Sequence, residues 1–172
     1  MHRRFPVVLG LAAAAIVSAG SHGRSIVAAQ SAPPCTLLTT EDIQPLAYHE
    51  TVAAGIAMSY APTGFSACRY AWGAGLNHYT LQVNIGEPSR MFAGIAPDQV
   101  KQALQSTVVE ATADTIVSDV GDAAIFKAES PVYVQASALI KGRVLQISLD
   151  GLDAREKKGA VIALLKQAAS KF

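Results

Sequence analysis

The sequence predicts an α+β fold, an antiparallel sheet of about five to six strands with helices packed on one face as a two-layer sandwich. Three observations lead there. Runs of period-two alternation recur from Phe65 onward, apolar residues fall at helical spacing between and after those runs, and 51% of the 172 residues are hydrophobic, enough to build a core.

Taken in order, Thr39-Thr40-Glu41-Asp42 has the form of a helix start, a threonine cap followed by acids where the helix dipole favours them. Pro45 limits that helix, because proline is harmless only in the first turn, whose amide hydrogens have no intrahelical partner. Tyr48 to Pro62 carries few charges and reads as a weak strand or loop. Beyond Phe65, Cys68, Tyr70 and Trp72 alternate with Ala67, Arg69 and Ala71, which describes a strand presenting its cysteine and aromatics to one face. Gly73 to Asn77 is a turn, and Tyr79, Leu81, Val83 and Ile85 then alternate with Thr80, Gln82 and Asn84 in the clearest half-buried strand of the chain. The two strands form a hairpin.

Pro97-Asp98 opens a helix with Val100, Ala103, Leu104 and Val108 at helical spacing. Ile116 to Val120 leads into a Gly121-Asp122 turn, and Ala123–Lys127, Val132–Ile140 and Val144–Leu149 read as three further strands, with Lys141-Gly142 as a tight hairpin turn between the last two. A helix from about Ala154 closes the chain, its stripe formed by Val161, Leu164, Leu165, Ala168 and Phe172. Ala67–Trp72 faintly echoes Ala123–Ala128, too briefly to establish a duplication.

The amino terminus has the layout of a secretory signal peptide: His2, Arg3 and Arg4 precede an uncharged apolar run from Phe5 to Ala19. Such a run is short of the ~20 apolar residues that span a bilayer. Residues 1–29 are therefore expected to be removed, with cleavage after Ala19 or Ala29, residues 30–34 to serve as a flexible linker, and residues 35–172 to form one domain. Removal takes away Arg3, Arg4 and Arg24, so the 14 basic residues fall to 11 against 13 acidic ones. A slightly acidic chain without a basic face is a poor partner for nucleic acid, whose binding depends on phosphate neutralisation. No stable membrane anchor is expected, and the protein should be secreted or periplasmic.

In an oxidising compartment two cysteines pair by default, so a Cys35–Cys68 disulfide is expected. A lipid anchor would need a small-residue box such as Leu-Ala-Gly before the cysteine, where Ser31-Ala32-Pro33-Pro34 stands instead. A metal site needs three or four ligands, and His49 and His78 sit in no ligand spacing. A catalytic thiol would require both cysteines to stay unpaired in that compartment.

The Cys35-Thr36-Leu37-Leu38-Thr39 opening followed by acids, a second cysteine in Cys68-Arg69-Tyr70, the Val120-Gly121-Asp122-x-Ala124 turn and the carboxy-terminal amphipathic helix together resemble a broad group of small exported bacterial proteins. Many of these are actinobacterial lipoproteins of unknown function. The resemblance implies the same disulfide and a non-catalytic role in the cell envelope, and it supplies no substrate. The chain departs from the lipoprotein members by lacking an anchoring cysteine, and Pro45 interrupts a helix that is usually smoother.

Few residues suggest chemistry. His49-Glu50 has the composition of an acid-base pair, yet neighbours in a loop point apart and both residue types are ordinarily solvated. His78, beside a turn asparagine, stands the same way. Asp119 and Asp122 flank Val120-Gly121 as turn formers, too few oxygens for calcium. Arg155, Lys157, Lys158, Lys166 and Lys171 make the polar side of the last helix basic, as expected of a solvated face rather than a lipid contact. Phe65, Tyr70, Trp72 and Tyr79 cluster in sequence near the disulfide, as core or as the wall of a small apolar ligand pocket. No phosphate loop, dinucleotide fingerprint or nucleophile elbow occurs, and no cofactor or metal is expected. The expectation is an exported, soluble, non-catalytic binding or interaction domain whose partner is an envelope protein or a small apolar ligand. The alternative is a small hydrolase-like enzyme with scattered residues such as His49, Glu50 and Asp122.

Overall fold

Seven strands, all antiparallel, form a single sheet in the order β1-β2-β3-β7-β6-β5-β4. The strands are β1 (Ile56–Tyr60), β2 (Phe65–Trp72), β3 (Tyr79–Gly86), β4 (Thr115–Val117), β5 (Ala123–Ser130), β6 (Tyr133–Ile140) and β7 (Arg143–Asp150). The helices are α1 (Pro34–Leu37), α2 (Thr40–Ala47), α3 (Pro88–Met91), α4 (Val100–Ser106) and α5 (Lys158–Ser170). The computed structural model of the chain describes residues 33–60, 65–109 and 112–172, so the signal peptide and residues 30–32 of the linker lie outside the described residues. α1 begins at Pro34, inside the stretch read as linker, and buries that proline.

The architecture is the α+β arrangement that the alternation predicts, with two edge strands bringing the total above five or six. Two meanders, β1-β2-β3 and β4-β5-β6-β7, are joined where β3 meets β7. The echoing segments are β2 and β5, each the second strand from an edge. The predicted hairpins form: Trp72 pairs with Tyr79, and Ile140 pairs with Arg143 across Lys141 and Gly142. Both turn residues have positive φ, 49° and 75°, the geometry whose twist matches a two-residue hairpin.

One face of the sheet is the main core. Leu81, Val83 and Ile85 of β3, Leu145, Ile147 and Leu149 of β7, and Val134, Ala136 and Ala138 of β6 are buried under Val161, Leu164, Leu165 and Ala168 of α5 and under Leu37, Leu38 and Ile43. Each fully buried Leu or Ile contributes roughly 1.5–3 kcal/mol of transfer free energy. A smaller cluster lies on the opposite face, where Val100 and Leu104 of α4 cover Ala123, Ile125, Leu139 and Val144, with Phe92 and Val108 at its margin. The helices thus cover most of one face and one corner of the other, because the α4 stripe finds apolar partners only at that corner.

The amino-terminal helices are pinned at three points. Cys35 and Cys68 form a disulfide that joins α1 to β2. The buried Tyr70 hydroxyl donates to the Leu38 carbonyl at 2.5 Å. Thr39 and Asp42 form the reciprocal cap of α2, in which the Thr39 amide donates to Asp42 at 2.8 Å and the Asp42 amide to the Thr39 hydroxyl. Asp42 also accepts from Gln167 at 2.5 Å and pairs with Lys171 at 3.2 Å, which ties α2 to α5. Pro45 sits inside α2, which ends two residues later.

Two outcomes follow for stability. Replacing both cysteines by alanine, which opens a loop of 33 residues, should lower the unfolding free energy in denaturant by about 3–4 kcal/mol; an unchanged midpoint would contradict the pinning. Burial raises the pKa of Asp42, but the Thr39 amide and the Lys171 and Gln167 donors outweigh it and hold the carboxyl below its ordinary value. A lowered folded-state pKa gives stability that is present above the unfolded value and lost as pH falls through the folded one. The stability advantage over Asp42→Asn should therefore shrink as pH drops below about 4, whereas a pH-independent gap would refute it.

Candidate functional site

Opposite the main core, no helix among the described residues packs on the sheet beyond the corner that α4 occupies. The alternation that sends Leu81, Val83 and Ile85 inward sends Thr80, Gln82 and Asn84 to this side, and β7 does the same with Gln146, Ser148 and Asp150. Register then aligns these residues in transverse rows. Asn84, Gln146 and Ser137 form one row, Arg69, Gln82, Ser148, Gln135 and Lys127 the next, and Thr80, Asp150 and Tyr133 a third.

The rows are linked by their own side chains. Gln82 Nε2 donates to Asn84 Oδ1 at 2.6 Å, Asn84 Nδ2 to Gln146 Oε1 at 3.1 Å, and Gln146 Nε2 to Ser137 Oγ at 3.4 Å. Gln135 Nε2 also donates to Ser137 Oγ, at 3.2 Å. Such mutual bonds hold amides in fixed rotamers, which lowers the entropic cost of meeting a ligand. A groove of about 360 Å³ lies over them, lined by Thr80, Gln82, Asn84, Gln146, Ser148 and Asp150, with Phe65 and Tyr133 as its aromatic walls. The Phe65 ring rests on Gly86, where a Cβ would meet it at 2.2 Å, so the absence of a side chain there seats this wall.

A second hollow, of about 250 Å³, opens at the strand ends on the helix-covered side. Tyr48, His49, Glu50, Trp72, Tyr79 and Lys157 are among its lining residues. Trp72 and Tyr79 stack with centroids 5.5 Å apart, and the Lys157 ammonium lies 4.8 Å from the Tyr48 ring and 5.3 Å from the Tyr79 ring. Burial, then Asp153, Tyr48 and Glu156, raise the Tyr79 pKa, so the phenol stays protonated. Tyr48 itself is 76% exposed and has φ 52° and ψ −107°, a conformation that favours glycine.

No family model matches the chain, and no curated protein and no solved structure matches it.

The residues singled out in the sequence are partly brought together. Trp72 and Tyr79 meet, with His49 and Glu50 beside them; Tyr70 is buried in the core, and Phe65 lies on the opposite face, so the four aromatics do not line one surface. His49 and Glu50 are both exposed, and His49 makes no hydrogen bond or ion pair with a carboxylate among the described residues. Asp122 is at the other end of the sheet: its neighbour Ala123 pairs with Leu139 in line with Val144, whereas the hollow lies beyond Asp150. His78 is exposed, its ring 3.4 Å from the Thr80 hydroxyl. Asp119 is a turn residue with φ 62°, and no group of three His, Cys, Asp or Glu that could hold a metal ion occurs among the described residues.

The basic side of the last helix is largely engaged. Lys157 lies between the two rings, Lys158 donates to Ala113 and Thr115, and Lys171 pairs with Asp42. No helix among the described residues is long and apolar enough to cross a membrane. The residues the sequence reading missed as a site are the amides and hydroxyls of the open face. Their signal was present: apart from Asp150, the polar sides of β3 and β7 carry neutral residues where a solvated strand ordinarily carries lysine and glutamate.

At Tyr48 the two truncations should rank against their usual order. Tyr48→Gly and Tyr48→Ala lose the same ring, but only glycine relaxes the backbone, so the glycine variant should be the more stable by about 1 kcal/mol in thermal or denaturant unfolding. An alanine variant at least as stable would show that position 48 is unstrained.

Proposed function

We propose that the chain is an exported, soluble, non-catalytic binding domain of the bacterial cell envelope and that it engages its partner through the open polar half of the sheet. One observation carries this reading: five mutually bonded amide and hydroxyl side chains, from Gln82 to Gln135, stand on the side of the sheet away from the main core, the three glutamines half-buried and Asn84 and Ser137 buried among them. A solvated face with no role has no need of a pre-linked array, and a core face would be apolar. The export part of the reading rests on the amino-terminal pattern and on the disulfide, a bond that persists in oxidising compartments. An apolar ligand loses support, since Tyr70 and Trp72 are spent in the core.

The hydrolase reading needs His49, Glu50 and Asp122 to converge, whereas Asp122 lies at the opposite end of the sheet from the hollow that His49 and Glu50 line. An isotope-labelled sample titrated with an aqueous extract of its native envelope should show resonance changes centred on the side-chain amides of Gln82, Asn84 and Gln146. Chromogenic ester, phosphate and glycoside substrates should show no turnover that His49→Ala removes. Turnover abolished by that substitution, or resonance changes confined to residues 48–50, would replace binding by catalysis.

A further inference from the structure

We propose that the open half-sheet takes a neutral saccharide segment laid across the transverse rows between Phe65 and Tyr133; the proposal rests on the reading of that face as the binding surface. The chemistry of the lining selects the ligand. Among the groove residues only Asp150 is charged, and the others offer hydroxyls, amides and two rings. Arg69 and Lys127 end the row of Gln82 and Ser148 without lining the groove, so over the amides, where the one charge is a carboxylate, phosphate, sulfate and other anions are disfavoured. An apolar ligand would strip water from amides and return no hydrogen bond to them, leaving desolvated polar groups unpaired.

What the amides still have to offer is countable. A carboxamide has two donor hydrogens and two acceptor lone pairs. Asn84 spends one acceptor on Gln82 and one donor on Gln146, and Gln146 spends one acceptor on Asn84 and one donor on Ser137. Each therefore keeps one donor and one acceptor, in a rotamer already fixed. A sugar hydroxyl also donates one bond and accepts others, so a polyol can satisfy both remaining valences where a pure donor or a pure acceptor cannot. The Thr80 and Ser148 hydroxyls and the Asp150 carboxylate extend the array in the adjoining rows.

The rings complete the match. Phe65 lies at the Gly86 end of the groove and Tyr133 beside Asp150 at the other, diagonally across it. The negative face of an aromatic ring attracts the partly positive C–H groups that a pyranose presents on one side. The groove, about 360 Å³, is within the range of small-ligand sites. An extended peptide would instead seek a sheet edge, and β3, β7 and β6 are central strands whose backbone is already paired. A protein partner would want a central apolar anchor pocket, where this groove has amides.

The test uses the secreted, oxidised protein and defined probes: maltoheptaose, mannohexaose, chitotetraose and a galactan oligosaccharide, with a heparin hexasaccharide as anionic control. At least one neutral probe should move the side-chain amide resonances of Gln82, Asn84 and Gln146, and Gln82→Met, at the margin of the array, should weaken that binding about tenfold without altering the fold. Gln146→Met serves as the second variant, read with a thermal melt. Equal or stronger binding of heparin overturns the neutral-polyol claim. If no neutral probe moves those resonances while an envelope extract does, and protease treatment of the extract abolishes the change, the ligand is a protein and the saccharide proposal falls while the face remains the binding surface. Silence of the face toward both the probes and the extract overturns both readings.

Discussion

The pairing of β3 with β7 is the contact on which both faces of the molecule depend. It joins the two meanders, and its register places Leu81 opposite Leu149, Val83 opposite Ile147 and Ile85 opposite Leu145 on the core side. The same register sets Gln82 opposite Ser148 and Asn84 opposite Gln146 on the open side. Because side chains alternate with period two, a slip of one residue would turn the three core side chains of one of the two strands to the open face and bury that strand's polar ones. The core and the candidate site are thus two consequences of one alignment. That alignment is specified by the apolar side: each fully buried leucine or isoleucine outweighs the ~0.5–1.5 kcal/mol net gain of a side-chain hydrogen bond on the polar side.

The helices decide which part of the sheet is left open. A disulfide, a buried tyrosine hydrogen bond and the Asp42 contacts hold α1 and α2 against β2 and α5. With α5 seated over β6 and β7, that side is filled except for the hollow at the strand ends. α4 covers the corner of the opposite face where Ile125, Leu139 and Val144 are apolar, and the margin of that cover reaches Gln135 and Ser137, which line a hollow with Leu104 and Phe92. Beyond it lies the groove over Asn84, Gln146 and Ser148.

Much of this was legible before the fold was known. Strict alternation in Tyr79–Ile85 and Val144–Leu149 gave β3 and β7 their inner faces, the Thr39 cap located α2, and the cysteine count with an oxidising compartment pointed to the disulfide. The edge strands were harder to read, since β1 has both sides largely exposed and so no clear alternation, and β4 has only three residues. The side of the sheet that α4 chooses depends on Ala123, Ile125, Leu139 and Val144 lying together, which is a tertiary fact. Of the aromatic residues, Tyr70 and Trp72 are core as one of the two readings has it, while Phe65 has odd parity along the same strand and so points to the opposite face. The amide array could not be foreseen as a unit because Asn84 and Gln146 are 62 residues apart, and nothing local says that their strands are neighbours.

On the reading proposed above, ligand is held over the polar rows, and the hollow at Tyr48 and Tyr79 is secondary. A crystal structure of the protein purified together with its native envelope material tests it most directly. The account predicts density lying over Asn84, Gln146 and Ser148, bounded by Phe65 and Tyr133, with the side-chain amides in the rotamers of the free protein. Density seated between Tyr48, Trp72 and Tyr79, above a bare polar face, would contradict it.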